Sequence, residues 1–172
     1  MAPETVLEAL LKSYRRYYNL KTEDVEPPFA AEAIFHSHEE QYFLVKSARL
    51  AEAESHEYVF FAVAQDLSLE DAQRLDLTAW ERGLSRARPG ANHRSTDVAL
   101  IILAQRIAPD AAQYIRSLKR YQSYRFTLHG WSHYQAIALE TSTGTLSSNR
   151  RGRDLEKLFR NINLPKEKGN SK

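Results

Sequence analysis

The sequence contains no cysteine among its 172 residues. This absence excludes disulfides, cysteine-ligated zinc, iron–sulfur centres and thiol nucleophiles. It also fits a reducing compartment, so we expect a cytoplasmic protein. Long apolar runs are missing too. The longest, Val98 to Ala104, is far shorter than the roughly 20 residues that cross a bilayer, so we expect no membrane partner.

An excess of charge of one sign is also lacking, because the formal net charge is only +2. The charges are nevertheless unevenly distributed. From Leu146 to the end, eight Lys and Arg oppose three Asp and Glu, which leaves a net charge of −3 on the remainder. Such asymmetry can mark an anion-binding end of the molecule.

The apolar residues, 42% of the chain, are spaced as in a globular α+β domain. We predict a single domain over 1–164 and a disordered basic tail over 165–172. The order is α-βββ-α-β-α-βββ-α, with one mixed or antiparallel sheet covered by helices. The predicted helices are Pro3–Tyr18, Ser68 to about Ala87, Pro109–Tyr121 and Arg153–Asn163, and the predicted strands are Ala30–His38, Gln41–Ala48, Glu57–Gln65, Thr96–Ile107, Tyr124–Trp131, His133–Glu140 and Thr145–Ser148.

Three segments carry a family resemblance: FHSHEEQYFLVKSARLAEAESHEYVFFAV, FTLHGW and NRRGRDLEKLF. They resemble an uncharacterised family of small bacterial proteins, a domain of unknown function, from about Ala30 to Arg160. The resemblance implies a bacterial protein and supplies no activity. No catalytic residue is carried over from it.

The first part of the element order, α-βββ-α-β, also resembles the core of restriction-endonuclease-like proteins. That resemblance implies an acidic residue near the second strand and a Glu-x-Lys on the third, which together hold a divalent metal. Here the third strand reads Glu57-Tyr-Val59, with no lysine two residues on. The departure puts a working nuclease site in doubt, although a degenerate relative remains an alternative.

Arginines around the start of the last predicted helix form the main candidate binding site. A helix amino-terminus with adjacent guanidinium groups can bind phosphate or carboxylate, although such arginines are also often simply solvated or paired with local acids. We expect these arginines to converge with a second basic stretch just before the strand at Thr96. The predicted anion-binding residues are Arg94, Asn149, Arg150, Arg151 and Arg153.

Histidines supply the other candidates. His129 and His133 flank a predicted turn at Gly130, where a histidine pair could do acid–base work, or the segment could simply be a tight turn. His36 and His38 share a strand face that His56 could approach, which makes these three weak candidates for metal ligands. Because the ligand set is not closed, we predict no metal and no other cofactor.

These observations favour a non-enzymatic intracellular binding or accessory protein with an arginine-rich anion-binding surface. Its expected partner is a phosphate-bearing ligand or an acidic protein, and a homo-oligomer is a further alternative. The rival hypothesis is an enzyme, either a degenerate nuclease or phosphodiesterase-like protein or a histidine-centred hydrolase. An enzyme should show histidine and carboxylates converging at one site.

Overall fold

The computed structural model describes residues 1–39 and 53–162. In this part the elements are α1 Pro3–Tyr14, β1 Asn19–Lys21, β2 Ala31–Glu39, β3 Ala53–Leu67, α2 Leu69–Arg86, β4 His93–Ile107, α3 Pro109–Ser117, β5 Tyr121–Ser123, β6 Trp131–Glu140, β7 Thr145–Ser148 and α4 Arg153–Asn161. The α+β class is confirmed, and the elements follow the predicted order α-βββ-α-β-α-βββ-α, although β1 and β5 are not strands that the sequence predicted. The tail predicted over 165–172 lies outside the described residues.

The seven strands form one mixed sheet in the order β1-β2-β3-β4-β6-β5, with β7 also paired to β6. The three central strands β3, β4 and β6 run parallel, and every other pairing is antiparallel. Parallel neighbours need a crossover, which α2 supplies between β3 and β4 and α3 supplies on the way from β4 to β6. The amino-terminal ends of all three central strands therefore lie side by side at the same end of the sheet.

Helices cover both faces of this sheet. Helices α2 and α3 pack on the face that includes Val98 and Leu100, whereas α1 and α4 pack on the face that includes Ala99 and Ile101. Strand β4 is consequently buried on both sides from Val98 to Ala104, as its continuous apolar run indicates. Among the described helices, none is both long and apolar enough to cross a membrane.

Helix α2 begins where the sequence predicts. The Ser68 hydroxyl accepts a hydrogen bond from the Asp71 amide at 3.1 Å, which satisfies one of the free amides of the first turn. Further along, Gly83 lies directly on β4, and a Cβ atom there would stand 2.2 Å from Cγ2 of Val98. The lack of a side chain at Gly83 thus sets the close approach of helix and sheet.

Replacing Gly83 with alanine should destabilise the protein by about 1–3 kcal/mol, the usual cost of overpacking a core. At an exposed position in a helix, replacing glycine with alanine raises the free energy of unfolding by up to about 1 kcal/mol. At Gly83 the expected change in the free energy of unfolding has the opposite sign. Urea denaturation measures the difference. Gly90→Ala is the control, because a Cβ there has no neighbour within 4 Å. A Gly83→Ala variant as stable as the wild type would mean that α2 does not pack this closely.

One predicted strand is wrong. Residues Tyr124–Trp131 form a turn, in which Arg125, Phe126 and Thr127 all have positive φ, and only Trp131 begins a strand. Gly130 then adopts φ +82° against the backbone of His93 and Arg94, where a side chain would clash. The alternation of apolar residues resembles a strand, but contacts with the start of β4 decide the backbone path.

Other boundaries also differ from the prediction. Helix α1 ends at Tyr14, and the short strand β1, which the sequence did not predict, pairs with β2. Helix α3 ends at Ser117 rather than Tyr121, because Tyr121 begins β5 and pairs with β6. In both places strand pairing, a non-local interaction, overrides the local helical spacing. The predicted strand Gln41–Ala48 lies outside the described residues.

Candidate active site

Three ionisable side chains lie in one row across the central parallel strands. The β3–β4 register places Glu57 directly beside Asp97, and the register that pairs Val98 with Tyr134 sets Asp97 beside His133. Neighbouring strands are about 4.8 Å apart, so the three side chains are close and point to the same face. Nδ1 of His133 lies 3.4 Å from Oδ1 of Asp97.

The carboxyl-terminal end of α1 and the residues that follow it pack over this row. Tyr14 is buried, and its ring lies 4.7 Å from that of Tyr18. The Tyr18 hydroxyl donates a hydrogen bond to Oε2 of Glu57 at 2.5 Å. The same sheet face is apolar one step further along, with Val59 and Ala99 fully buried. The row is therefore the polar margin of the α1 side of the core.

Partial burial shifts all three pKa values of the row. Burial raises the pKa of Glu57, although the hydrogen bond from Tyr18 opposes the rise. Burial also raises the pKa of Asp97, against the opposing effects of His133 and Arg151. The pKa of His133 is lowered, first by burial and then by the positive charge of Arg151, while Asp97 opposes the shift. His133 is thus held toward its neutral form.

Arg151 joins this row from the segment that precedes α4. Its charge acts on both Asp97 and His133, so the guanidinium lies within electrostatic reach of the pair. The row nevertheless remains accessible, since the side chains of His133 and Asp97 keep 19% and 31% of their exposure. A solute can therefore reach a site that combines a base, two carboxyl groups and a cation.

The predicted role of Asn149 in anion binding needs correction. Its side chain is buried, with Oδ1 accepting from the amides of Ala136 (3.1 Å) and Gly152 (2.7 Å). Its Nδ2 donates to the carbonyls of Tyr134 (3.1 Å) and Leu118 (3.3 Å). These four bonds use the full capacity of a carboxamide. Asn149 therefore fixes the turn that presents Arg151 and has no hydrogen-bonding capacity left for a ligand.

The other predicted arginines lie around this turn or at the start of β4. Arg150 and Arg153 are exposed. Arg94 is exposed too and lies three residues before Asp97. Arg151 affects the pKa values of Asp97 and His133, whereas Arg94 is not among the groups that do. The convergence of Arg94 with Arg151 stays a prediction.

Only one of the two turn histidines reaches the row. His133 lies on β6 beside Asp97, with the rings of Tyr121 and Trp131 centred 5.4 and 6.1 Å from its own. His129 lies in the turn, where its backbone carbonyl is 2.7 Å from Nδ1 of His93. The pair expected at the rim is therefore divided between a site residue and a turn residue.

The weak metal candidates lie near the edge of the described chain. The backbone register places His36 opposite His56 and His38 opposite Glu54. The side chains of His36 and His38 lie outside what the structure describes, so their role stays a prediction. Within the described residues, no group of three histidines or carboxylates is arranged to hold a metal ion.

Sequence reasoning missed two members of the site, Tyr18 and Asp97, and it considered Glu57 only for a metal site. A signal was present for both carboxyl groups. Glu57 opens its predicted strand and Asp97 is the second residue of its own, and an acidic residue at the start of a strand buried on both faces needs a partner. Spacing along the chain could not show that their strands are neighbours in register.

Comparison with known proteins identifies one family. The model of the family described as Domain of unknown function (DUF8052) matches residues 2–161, which is nearly the whole chain. No curated protein and no solved structure matches it. The description carries neither an activity nor an organism, so the expected bacterial origin stays a prediction.

Proposed function

We propose that this chain, which belongs to the DUF8052 family, is a histidine-centred hydrolase that cleaves an ester bond. The observation that carries the proposal is the row of Glu57, Asp97 and His133 on adjacent strands, in which Nδ1 of His133 lies 3.4 Å from Oδ1 of Asp97. A histidine held toward its neutral form beside a carboxylate is the arrangement used for acid–base catalysis. A histidine-centred hydrolase is the enzyme alternative that the sequence leaves open.

His133 acts as the base. Nδ1 lies 3.4 Å from Oδ1 of Asp97, a buried oxygen without a hydrogen-bond partner in the described residues, so in the proposed tautomer the proton is on Nδ1 and Nε2 is the acceptor. Nε2 removes a proton from water as the water oxygen attacks the ester, and the imidazolium then returns a proton to the leaving oxygen. Asp97 stabilises the imidazolium in between. The present 3.4 Å separation is long for a hydrogen bond, and such contacts commonly tighten when substrate binds.

Arg151 and Glu57 complete the chemistry. Arg151 stabilises the negative charge that develops on the attacked group. The raised pKa of Glu57 moves it toward the protonated form, a second acid within the row. The hydrogen bond from Tyr18 holds that carboxyl in place.

Charge balance favours this function over simple anion binding. The charge of Arg151 acts on Asp97, whose carboxylate compensates part of it. An anion resting there would face the Asp97 carboxylate, whereas negative charge that develops transiently on a substrate would not need to displace it. The exposed Arg150 and Arg153 fit recruitment of the expected phosphate-bearing ligand or acidic partner beside the site.

A metal-dependent nuclease is a weaker alternative for the same residues. The lysine that the restriction-endonuclease resemblance requires two residues after Glu57 is replaced by Val59, which is fully buried in the core. No charged group can take that position without disrupting the packing. The lack of cysteine further supports the proposal of a cytoplasmic enzyme.

The pH profile of hydrolysis tests the proposed base. We expect kcat/KM for a chromogenic ester to rise with pH along a limb below 6.5, because burial and Arg151 lower the pKa of His133 and only neutral imidazole is active. Arg151→Gln removes the charge that lowers the pKa of His133 and leaves the effect of burial, so the limb should move to higher pH. The panel comprises p-nitrophenyl acetate, p-nitrophenyl phosphate and bis-p-nitrophenyl phosphate.

Lys157→Gln is the matched control for this shift, since Lys157 is an exposed cation on α4 and does not contribute to the pKa shift of His133. Its limb should coincide with that of the wild type. Absence of hydrolysis across the whole panel, or a limb that Arg151→Gln leaves in place, would contradict the assignment of His133 and Arg151.

A further inference from the structure

A second candidate site lies at the other end of β6. A cavity of about 340 Å³ opens between α1, α4 and the β6–β7 hairpin. Leu139 in its wall is six residues beyond His133, which corresponds to about 20 Å along the strand. The cavity is therefore separate from the proposed active site.

The walls of this cavity are apolar. Val6 of α1, Leu139 of β6, Leu146 of β7 and Phe159 of α4 all line it. Its volume falls within the roughly 300–1,000 Å³ range of small-molecule sites and is about twice that of an engineered cavity that binds benzene. Such a space favours an apolar group over water.

Two polar groups border the apolar walls. Arg160 stands at the rim with a side chain 76% exposed, and its ion pair with Glu156 is loose at 3.9 Å. Thr141 is in the wall, and its Oγ1 is covered from solvent without a hydrogen-bond partner in the described part of the chain. This unpaired hydroxyl is the hydrogen-bonding group that the wall offers to an occupant.

We propose that this cavity binds a saturated monocarboxylate of medium chain length. The alkyl chain lies among Val6, Leu139, Leu146 and Phe159, and the carboxylate pairs with Arg160, with Thr141 as a second hydrogen-bond partner. An anionic head matches the charge of Arg160, which is the one lysine or arginine among the described residues that line the cavity. Glu156, which already pairs with Arg160, disfavours a head of higher negative charge.

Binding of the straight-chain carboxylates from hexanoate to dodecanoate, followed by amide shifts in NMR spectra, tests the proposal. Each added methylene should tighten binding about fourfold until the cavity is full, after which the affinity should level off. The shifts should centre on Leu139 and Leu146. No shifts at millimolar ligand, or shifts centred elsewhere, would overturn the proposal.

Variants test the head group and the cavity separately. Arg160→Gln should weaken octanoate about two- to fivefold and leave octan-1-ol unchanged, whereas Arg153→Gln on the same helix should alter neither. Leu146→Trp should abolish binding, and Leu77→Trp, on the opposite helix layer, should not. Equal binding of octanol and octanoate that Arg160→Gln leaves unchanged would refute the carboxylate class.

The comparison of octanoate with octan-1-ol in Arg160→Gln remains valid even if Leu146→Trp does not fold. Well-dispersed amide signals in the NMR spectrum show whether a variant is folded. The result is also independent of the proposed hydrolysis. His133→Gln should bind octanoate like the wild type, so failure of one proposal leaves the other standing.

Discussion

Replacing His133 with glutamine should lower kcat/KM for ester hydrolysis by about 10²–10⁴, the usual contribution of a positioned general base. Glutamine keeps a polar side chain of similar length but cannot accept and return a proton. Steady-state rates across the ester panel measure the loss. Thermal denaturation of the same variant should be close to that of the wild type, because the His133 side chain is partly exposed.

His129→Gln is the matched control for this loss. His129 is four residues away in the chain and contributes only its backbone amide and carbonyl to the described hydrogen bonds. Its variant should retain wild-type rates. Equal activity of the two variants would show that the row is structural rather than catalytic.

Asp97→Asn is a second variant that tests the row, and it should lower activity without lowering stability. An amide cannot stabilise the imidazolium, so activity should fall as it does for His133→Gln. Because burial raises the pKa of Asp97, its ionised form costs folding free energy above the folded-state pKa, and this cost disappears as pH falls through that value. At pH 7 the neutral asparagine should therefore unfold at the same or a higher temperature than the wild type.

Removing Asp76 with alanine should have the largest effect on stability, about 3 kcal/mol. Asp76 is fully buried in α2, and its carboxylate accepts two hydrogen bonds from Arg120, at 2.9 and 2.6 Å. The Tyr114 hydroxyl donates a third at 2.7 Å. Burial, and then this hydrogen bond, raise the pKa of Tyr114 to about 12. Without Asp76 the Arg120 charge and this hydroxyl lose their partner.

We place the expected cost at the low end of the range for buried pairs because Arg120 keeps 28% of its side-chain exposure and can turn toward water. Urea denaturation measures the loss. Asp66→Ala is the matched control, since Asp66 makes the same two-bond contact with Arg106 on the exposed surface. That variant should lose far less. Equal losses would show that burial adds nothing to the Asp76 pair.

Local chemistry accounts for much of the fold prediction. Ser68 caps α2 as expected, and Pro109 begins α3, because capping and the missing proline amide act within a single turn. The apolar run in β4 predicted a strand buried on both faces. The failures, the missed strand β1 and the turn at 124–130, lie where pairing with distant strands decides the backbone path.

The candidate site divides in the same way. His133 and Arg151 were identified individually from turn chemistry and charge. Their partners Glu57 and Asp97 were not, because each lies on a different strand and becomes a neighbour only through the parallel register. Asn149 was misassigned as a ligand, since only the packed structure shows that its amide is fully used within the fold.

By itself, the amino-acid sequence determined the α+β class, the element order and the absence of thiol chemistry, because composition, hydrophobic period and capping act over short distances along the chain. The tertiary structure alone decided which charged residues meet. Register across β3, β4 and β6 converts residues 57, 97 and 133, about 40 apart in sequence, into neighbours about 4.8 Å apart. Partial burial, and then that proximity, shift their pKa values and support the chemistry proposed here.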